Sequence, residues 1–283
     1  MNSLGGGGVY AAAGMRLWQG QVILWGRVGP TFDLDLFSPL KLADTFIKQN
    51  HTPTPRAWQL YEVDGTRTQI PRVSAEVWQT QLVPTSSDLP DLSHVQGVHL
   101  STRGYKDEIG VINTLRKAGV TVSLEPIISS DTSDSKKAII IDCLRLADIF
   151  SPGLNDAELL FETSSVDQLF ERMAALGPHL ITLRQGANGS TVYDRDADRY
   201  WQIPAVPTAI IDVTGGGNAY CGGFLTGWIQ HQTVEQAAAQ AAVSAALTIE
   251  QVGPPAITDA RLDKAQSRQA DCLAEIIRRN KHL

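Results

Sequence analysis

The chain has 283 residues, 43% of them hydrophobic, with a formal net charge of −6 and a pI near 5.5. That is enough apolar material for one large buried core. Without any Lys/Arg-rich run it argues against nucleic acid or a membrane surface as partner. The three cysteines, Cys143, Cys221 and Cys272, are dispersed, no apolar run is long enough to span a bilayer, and no basic-then-apolar leader opens the chain, so a reducing cytoplasm is the expected setting.

In chain order, "VILW" (22–25) reads as a strand. "AWQLYEV" and "TRTQIPRV" flank the turn dipeptide Asp64-Gly65, so 57–73 reads as a β-hairpin inserted as a small lid. The runs "VQGVHLS" (95–101), "VTVSLE" (120–125), "ADIFS" (147–151) and "LITLR" (180–184) have the length and content of buried parallel strands. Helical patterns alternate with them. Ile109, Ile112 and Leu115 keep helical spacing ahead of Gly119, Ser165 with Gln168 reads as a capping box for a helix ending near Gly177, and Thr233 with Gln236 as another opening the Ala-rich run to about Glu250. Such alternation predicts one α/β domain over 1–283, a mostly parallel sheet with helices on both faces.

The stretch "IIDVTGGGNAYCGGFLTGW" (210–228) carries the chemistry. Three glycines between a strand end and a helix let backbone N–H groups converge on an anion at the helix N-terminus. A tight strand-to-helix turn with no ligand gives the same letters. Gly222 and Gly223 fall inside that helix and predict close packing against another element. Glu125 ends a predicted strand, as a site acid or an exposed strand-end acid. His99 reads as a buried, hydrogen-bonded histidine. Arg103, in a loop, either meets an anionic substrate or is solvated.

"DVTGGGNAYCGGFL" resembles the second signature of the ribokinase-like (PfkB) carbohydrate kinases, D-[TS]-x-G-A-G-D-x-[FY]-x-x-G, with Asp212, Thr214, Gly215, Gly217, Tyr220 and Gly223 in place. Other stretches resemble that family in the same order along essentially the whole chain. They are "GGGGVYAAAGMRL" (5–17), "VILWGRVG" (22–29), "ADIFSPGLNDAE" (147–158), "GANGSTVYD" (186–194) and "EQVGPP" (250–255). The resemblance implies a ribokinase-like fold and transfer of a phosphoryl group from ATP, with Mg²⁺, to a hydroxyl of a small sugar-like substrate. It implies an anion hole at Gly215, Gly216 and Gly217, with Thr214, Arg184, Gly186, Gly189 and Gly253 near the nucleotide. Gly5, Gly6 and Tyr10 fall at the substrate, and Asp156 and Asp212 act on magnesium indirectly. Oligomers are compatible with it.

The chain departs from the pattern in several places. Tyr10 stands where Asn is usual, Gly153 where Asn is usual and Asp156 where Glu is usual, and Gly216 replaces Ala. A strand ending in an acidic residue normally precedes the first glycine motif; here either the start lies upstream or the sheet lacks an inner strand. Asn218 replaces the family's catalytic Asp. An amide oxygen accepts a hydrogen bond but cannot hold a proton at neutral pH. Two readings follow: a slow kinase, or a pseudokinase that binds nucleotide or metabolite and acts through partners. Asn218 also reads as a plain helix cap. On sequence alone, Asn218→Asp would restore a base and raise turnover by about 10²–10⁴-fold.

Overall fold

The computed structural model describes residues 3–18, 20–61 and 67–280. Helix α1 (Gly7–Arg16) opens the chain, and strands β1 (Ile23–Val28) and β2 (Asp44–Gln49) pair in parallel as a two-stranded sheet of their own. "VILW" therefore begins a strand outside the main sheet. Strands β3 (Ala57–Tyr61) and β4 (Arg67–Pro71) pair antiparallel, with Trp58 opposite Ile70; the Asp64-Gly65 turn lies outside the described residues. Helix α2 (Ala75–Leu82) follows, capped by Ser74, whose hydroxyl accepts from the Val77 N–H.

The main sheet is β5 (Gly97–Thr102), β6 (Thr121–Pro126), β7 (Ile149–Phe150), β8 (Leu180–Arg184), β9 (Ser190–Asp194), β10 (Arg199–Ile203) and β11 (Ile277–Asn280). Its strands lie side by side in sequence order. From β5 to β8 all pairs are parallel, each crossover carried by helices: α3 (Lys106–Lys117), α4 (Asp134–Leu144), and α5 (Leu154–Phe161) with α6 (Val166–Leu176). From β8 to β11 the pairing turns antiparallel. Between β10 and β11 run α7 (Gly216–His231), α8 (Val234–Ile249) and α9 (Asp259–Glu275).

Strand alternation sends successive residues to opposite faces. Val122, Leu124, Phe150, Ile181 and Leu183 join Val111, Ile112, Ile140, Leu160 and Leu169 in the core beneath α3–α6. Their neighbours Ile149 and Leu180 join Tyr220, Phe224 and Val243 in a second core beneath α7 and α8. Helices thus cover both faces. The ends behave as their residues dictate: Ser165 caps α6 by accepting from the Gln168 N–H, and Gly177 closes it with φ 115°. Thr233 precedes α8 but makes no side-chain cap bond, so that capping box does not form.

The α1–α7 contact explains an internal glycine. A Cβ on Gly222 would collide with the Ala11 carbonyl oxygen, so only glycine lets the two backbones approach this closely. Gly223 faces Gln240 and Ser244 of α8 in the same way. This packing fixes the start of α7 relative to α1. Among the described residues, no helix is long and apolar enough to cross a membrane.

Candidate active site

The C-terminal ends of β5, β6 and β8 open into a cleft of about 2910 Å³, lined by Gly5–Gly8 of the first glycine run, the hairpin residues Trp58 and Gln59, and the glycine loop before α7. That volume is several times a single small-molecule pocket, enough for two ligands together. In open α/β sheets this end of the strands is where ligands bind.

Gly215 caps α7 with φ 82°, a left-handed conformation that a side chain would strain. Its α-carbon also lies flat against the Tyr10 ring, so a Cβ has no room. Tyr10, read as a substrate contact, is buried and serves as the bed on which the loop rests, although it still borders the cleft. Asp212 accepts from the Thr214 N–H at 2.9 Å and so ties the loop. Gly216, Gly217 and Asn218 form the first turn of α7, whose N–H groups lack intrahelical acceptors and carry the positive end of the helix dipole. The Arg184 guanidinium stands beside Gly217, close enough that a Cβ there would strike Nη1.

Beneath that turn is a polar stripe, built by the alternation that built the cores. On β5 and β6 the residues on the α7 side are His99, Ser101, Ser123 and Glu125, in register as His99 opposite Ser123 and Ser101 opposite Glu125. Ser151, just past β7, and Thr182 and Arg184 on β8 continue it. Glu125 is 3% exposed and lies at the centre. Ser101 donates to its Oε1 at 2.9 Å, and Arg184 Nη2 lies 3.2 Å from its Oε2. The Asn218 amide donates to Oε1, and Cys221 Sγ sits 3.6 Å from Oε2. His99 Nε2 stands 3.6 Å away, longer than a hydrogen bond, while its Nδ1 meets Ser123 Oγ at 3.1 Å. Burial pushes the Glu125 carboxyl up, but His99, Arg184 and Ser101 outweigh it and bring it down to about 2. Glu125 is therefore a carboxylate throughout the neutral range. Asn218 is not a helix cap here; that place belongs to Gly215, and the amide is committed to Glu125.

Glu125, Ser101 and His99 are the residues the sequence motifs did not single out as a unit. The signal was present in "VHLS" and "VSLE", where polar residues alternate with apolar ones inside strands that read as fully buried. The other residues scatter. Asp156 lies in the first turn of α5, folded over Gly153, and borders the cleft with Asp212 and Arg103. Gly186, Gly189 and Gly253 do not line the cleft; a Cβ on Gly189 would collide with the Ile203 carbonyl oxygen, which accounts for that glycine by packing. Gly253 adjoins Ser3 and Leu4.

His99, Glu125 and Cys221 bring one ligand atom each within 4.8 Å of one another. The set does not suit a hard cation, which takes oxygen ligands. Burial pushes the Cys221 thiol up to about 12, and a guanidinium already pairs with the carboxylate. Asp156 and Asp212, single carboxylates facing the cleft, suit Mg²⁺ better, because that ion keeps several waters and arrives on nucleotide phosphates.

The model of the pfkB family of carbohydrate kinases matches residues 2–260. This chain belongs to that family. A cytidine kinase of Thermococcus kodakarensis is 25% identical over 138 residues, 49% of each chain. The chain spans about half or less of the length of the first curated relatives it matches. Among solved structures, fructokinase from Vibrio cholerae O395 with fructose, ADP and calcium superposes with TM-score 0.76 at 19% identity, covering 93% of this chain and 91% of that one. Burkholderia thailandensis nucleoside kinase with ADP-inosine gives 0.74 at 22%, covering 99% and 85%. The fold is ribokinase-like.

Proposed function

We propose that this chain is an ATP-dependent phosphotransferase acting on a hydroxyl of a small sugar-like or nucleoside substrate. The observation that carries the reading is the glycine-rich start of α7, held against Tyr10 and flanked by Arg184, facing a cleft large enough for two ligands. Phosphoryl transfer is catalysed chiefly by positioning and by charge stabilisation. The first-turn N–H groups of α7, its dipole and the Arg184 guanidinium supply both at one place. Ile211, Val213 and Val252 are exposed apolar residues bordering the cleft beside the loop, and offer a nucleobase an apolar seat. Mg²⁺ would neutralise phosphate charge, its waters held by Asp156 and Asp212. The hairpin β3–β4 acts as a lid over the acceptor. That the relatives are named as kinases of cytidine, fructose and other sugars supports the class of acceptor without selecting one.

A second reading, a nucleotide-binding protein without turnover, is favoured by one observation: the residue at the family's base position is an amide. Melting curves with ATP, ADP and Mg²⁺, then ADP release with fructose, ribose, cytidine and inosine, separate the two. A ligand that binds only the folded state raises the melting temperature. A shift with turnover supports the kinase, and a shift alone supports the binding protein. Unmoved curves at millimolar nucleotide sink both.

A further inference from the structure

We infer that Glu125 is the site's proton acceptor, reached through the Ser101 hydroxyl, and that Asn218 is an amide because it anchors this carboxylate; the inference rests on the phosphotransferase reading. Three observations meet here. A fully buried carboxylate lies directly behind the start of α7, ionised and held by Ser101, Asn218 and Arg184. Ser101, half-buried, borders the cleft and donates inward to it. Gly7, at the start of α1, borders the same cleft, and a Cβ there would stand 3.0 Å from Asn218 Nδ2 and 3.4 Å from Ser101 Oγ, so the glycine leaves both side chains uncrowded on the cleft side.

An acceptor hydroxyl lying in the cleft beside Ser101 donates to Ser101 Oγ while Ser101 donates to Glu125. As the acceptor oxygen bonds to the γ-phosphorus, the bond from that phosphorus to the β,γ-bridging oxygen breaks and its electron pair leaves on ADP. The acceptor proton moves to Ser101 Oγ as the serine proton moves to Glu125 Oε1. The proton returns to water when products leave. Of the two other carboxylates that the sequence motifs single out, Asp212 is tied to the Thr214 N–H and Asp156 folds over Gly153.

The site's charge is then conserved but relocated. One carboxylate and one amide face each other, with the carboxylate on β6 and the amide on α7. A second carboxylate at 218 would face Glu125 at contact distance, and like charges that close do not both ionise freely. The effect of Asn218→Asp therefore reverses sign relative to what the motif alone implies.

The test is a four-way comparison of kcat, KM and ADP affinity for wild type, Glu125→Gln, Asn218→Asp and the double variant, on fructose, ribose, cytidine and inosine. Glu125→Gln is expected to lower kcat by about 10²–10⁴-fold, the usual share of a general base, with ADP affinity little changed. Asn218→Asp is expected to be slower than wild type. The double variant restores one carboxylate facing one amide and should run at least about tenfold faster than Glu125→Gln, a rescue that lost packing alone would not give. Ser101→Ala should fall with Glu125→Gln. Wild-type kcat in Glu125→Gln or Ser101→Ala, or a double variant no faster than Glu125→Gln, overturns the inference. If Glu125→Gln does not fold, Asn218→Asp decides: a rate above wild type overturns it, a lower rate supports it. Wild type that neither binds nucleotide nor releases ADP overturns the phosphotransferase reading itself, whereas an active wild type with an indifferent Glu125→Gln removes only the role of Glu125.

Discussion

Leu124 and Glu125 are adjacent on one strand, and both are at least 97% buried, yet one side chain belongs to the apolar cluster that holds Ile112 and Leu169 while the other meets a serine, an arginine and an amide. The face beneath α3–α6 holds the molecule together by area removed from water. The face beneath α7 gives up some of that area, at the C-terminal ends of its strands, for polar groups that are mostly partnered, His99 Nε2 and Arg184 Nε being buried without a hydrogen bond. The proposed chemistry sits on the face that gives up apolar burial, beside a face that keeps it.

The comparison breaks most visibly on the apolar face. Phe150→Ala removes a side chain with no exposed area and is expected to destabilise by about 3–5 kcal/mol. Denaturant unfolding measures that loss, and the molecules that remain folded should bind ADP as wild type does. If ADP affinity fell with stability, the two faces would not be separable.

Arg184→Met probes the other face at somewhat smaller cost. It leaves Glu125 buried without its cation, a change usually worth about 3–5 kcal/mol; the side chain of Arg184 keeps 15% exposure, which places the loss near the lower end. Unlike Phe150→Ala it should also weaken ADP binding, since the guanidinium flanks the start of α7. Combining it with Glu125→Gln should recover part of the stability and none of the affinity. Full additivity would mean that the two residues do not depend on each other.

The apolar face was the legible part. Ile112, Leu115, Leu124 and Ile181 announce themselves by period, Gly177 and Ser165 by end chemistry, and Gly215–Gly217 by clustering, so the α/β alternation and the glycine turn before α7 follow from residues alone. The polar stripe was harder, because a histidine or serine inside an apolar run looks like noise until register puts His99 opposite Ser123 and Ser101 opposite Glu125. Register is set by tertiary packing, which no local window contains. For the same reason Asn218 read as a loss: the residue that compensates it is 93 positions away. Strands β2, β9, β10 and β11 are absent from the sequence reading; of these β2 and β11, "DTFIKQ" and "IRRN", are polar edge strands without a buried run.

Acid separates the faces more gently. The Glu125 carboxyl is held near 2 in the folded protein, below its ordinary value of 4.5, so the folded state favours its ionised form. The stability it contributes is complete above the ordinary value and is lost as pH falls from there toward 2. Wild type should lose stability across that window, and Glu125→Gln should lose less of its own, measured by thermal unfolding at steps between pH 5 and pH 2.5. Parallel acid limbs for the two proteins would mean that the stripe does not hold Glu125 as charged. Phe150→Ala, by contrast, should shift the curve down without changing its shape.

The smallest effect belongs to an apolar surface that neither face covers. On the β3–β4 hairpin, Trp58 is 51% exposed with the Arg72 guanidinium 5.0 Å above its ring, and Ile70, directly across the ladder, is 44% exposed. Side chains that make so few contacts contribute little to folding, and Trp58→Ser should change stability by no more than about 0.5 kcal/mol. Yet Trp58 borders the same cleft as Ser101 and Asn218. If the hairpin closes over the acceptor, the ring excludes water from that side, and its removal should raise KM for the acceptor several-fold while ADP affinity, set on the far side at α7, stays where it was. Such a split would extend the division of labour to a third surface, one that spends no stability because it borrows its burial from the substrate. An acceptor KM equal to that of wild type would instead leave the hairpin as an exposed ornament of the fold, and the reason for its apolar residues would have to be sought outside the reaction.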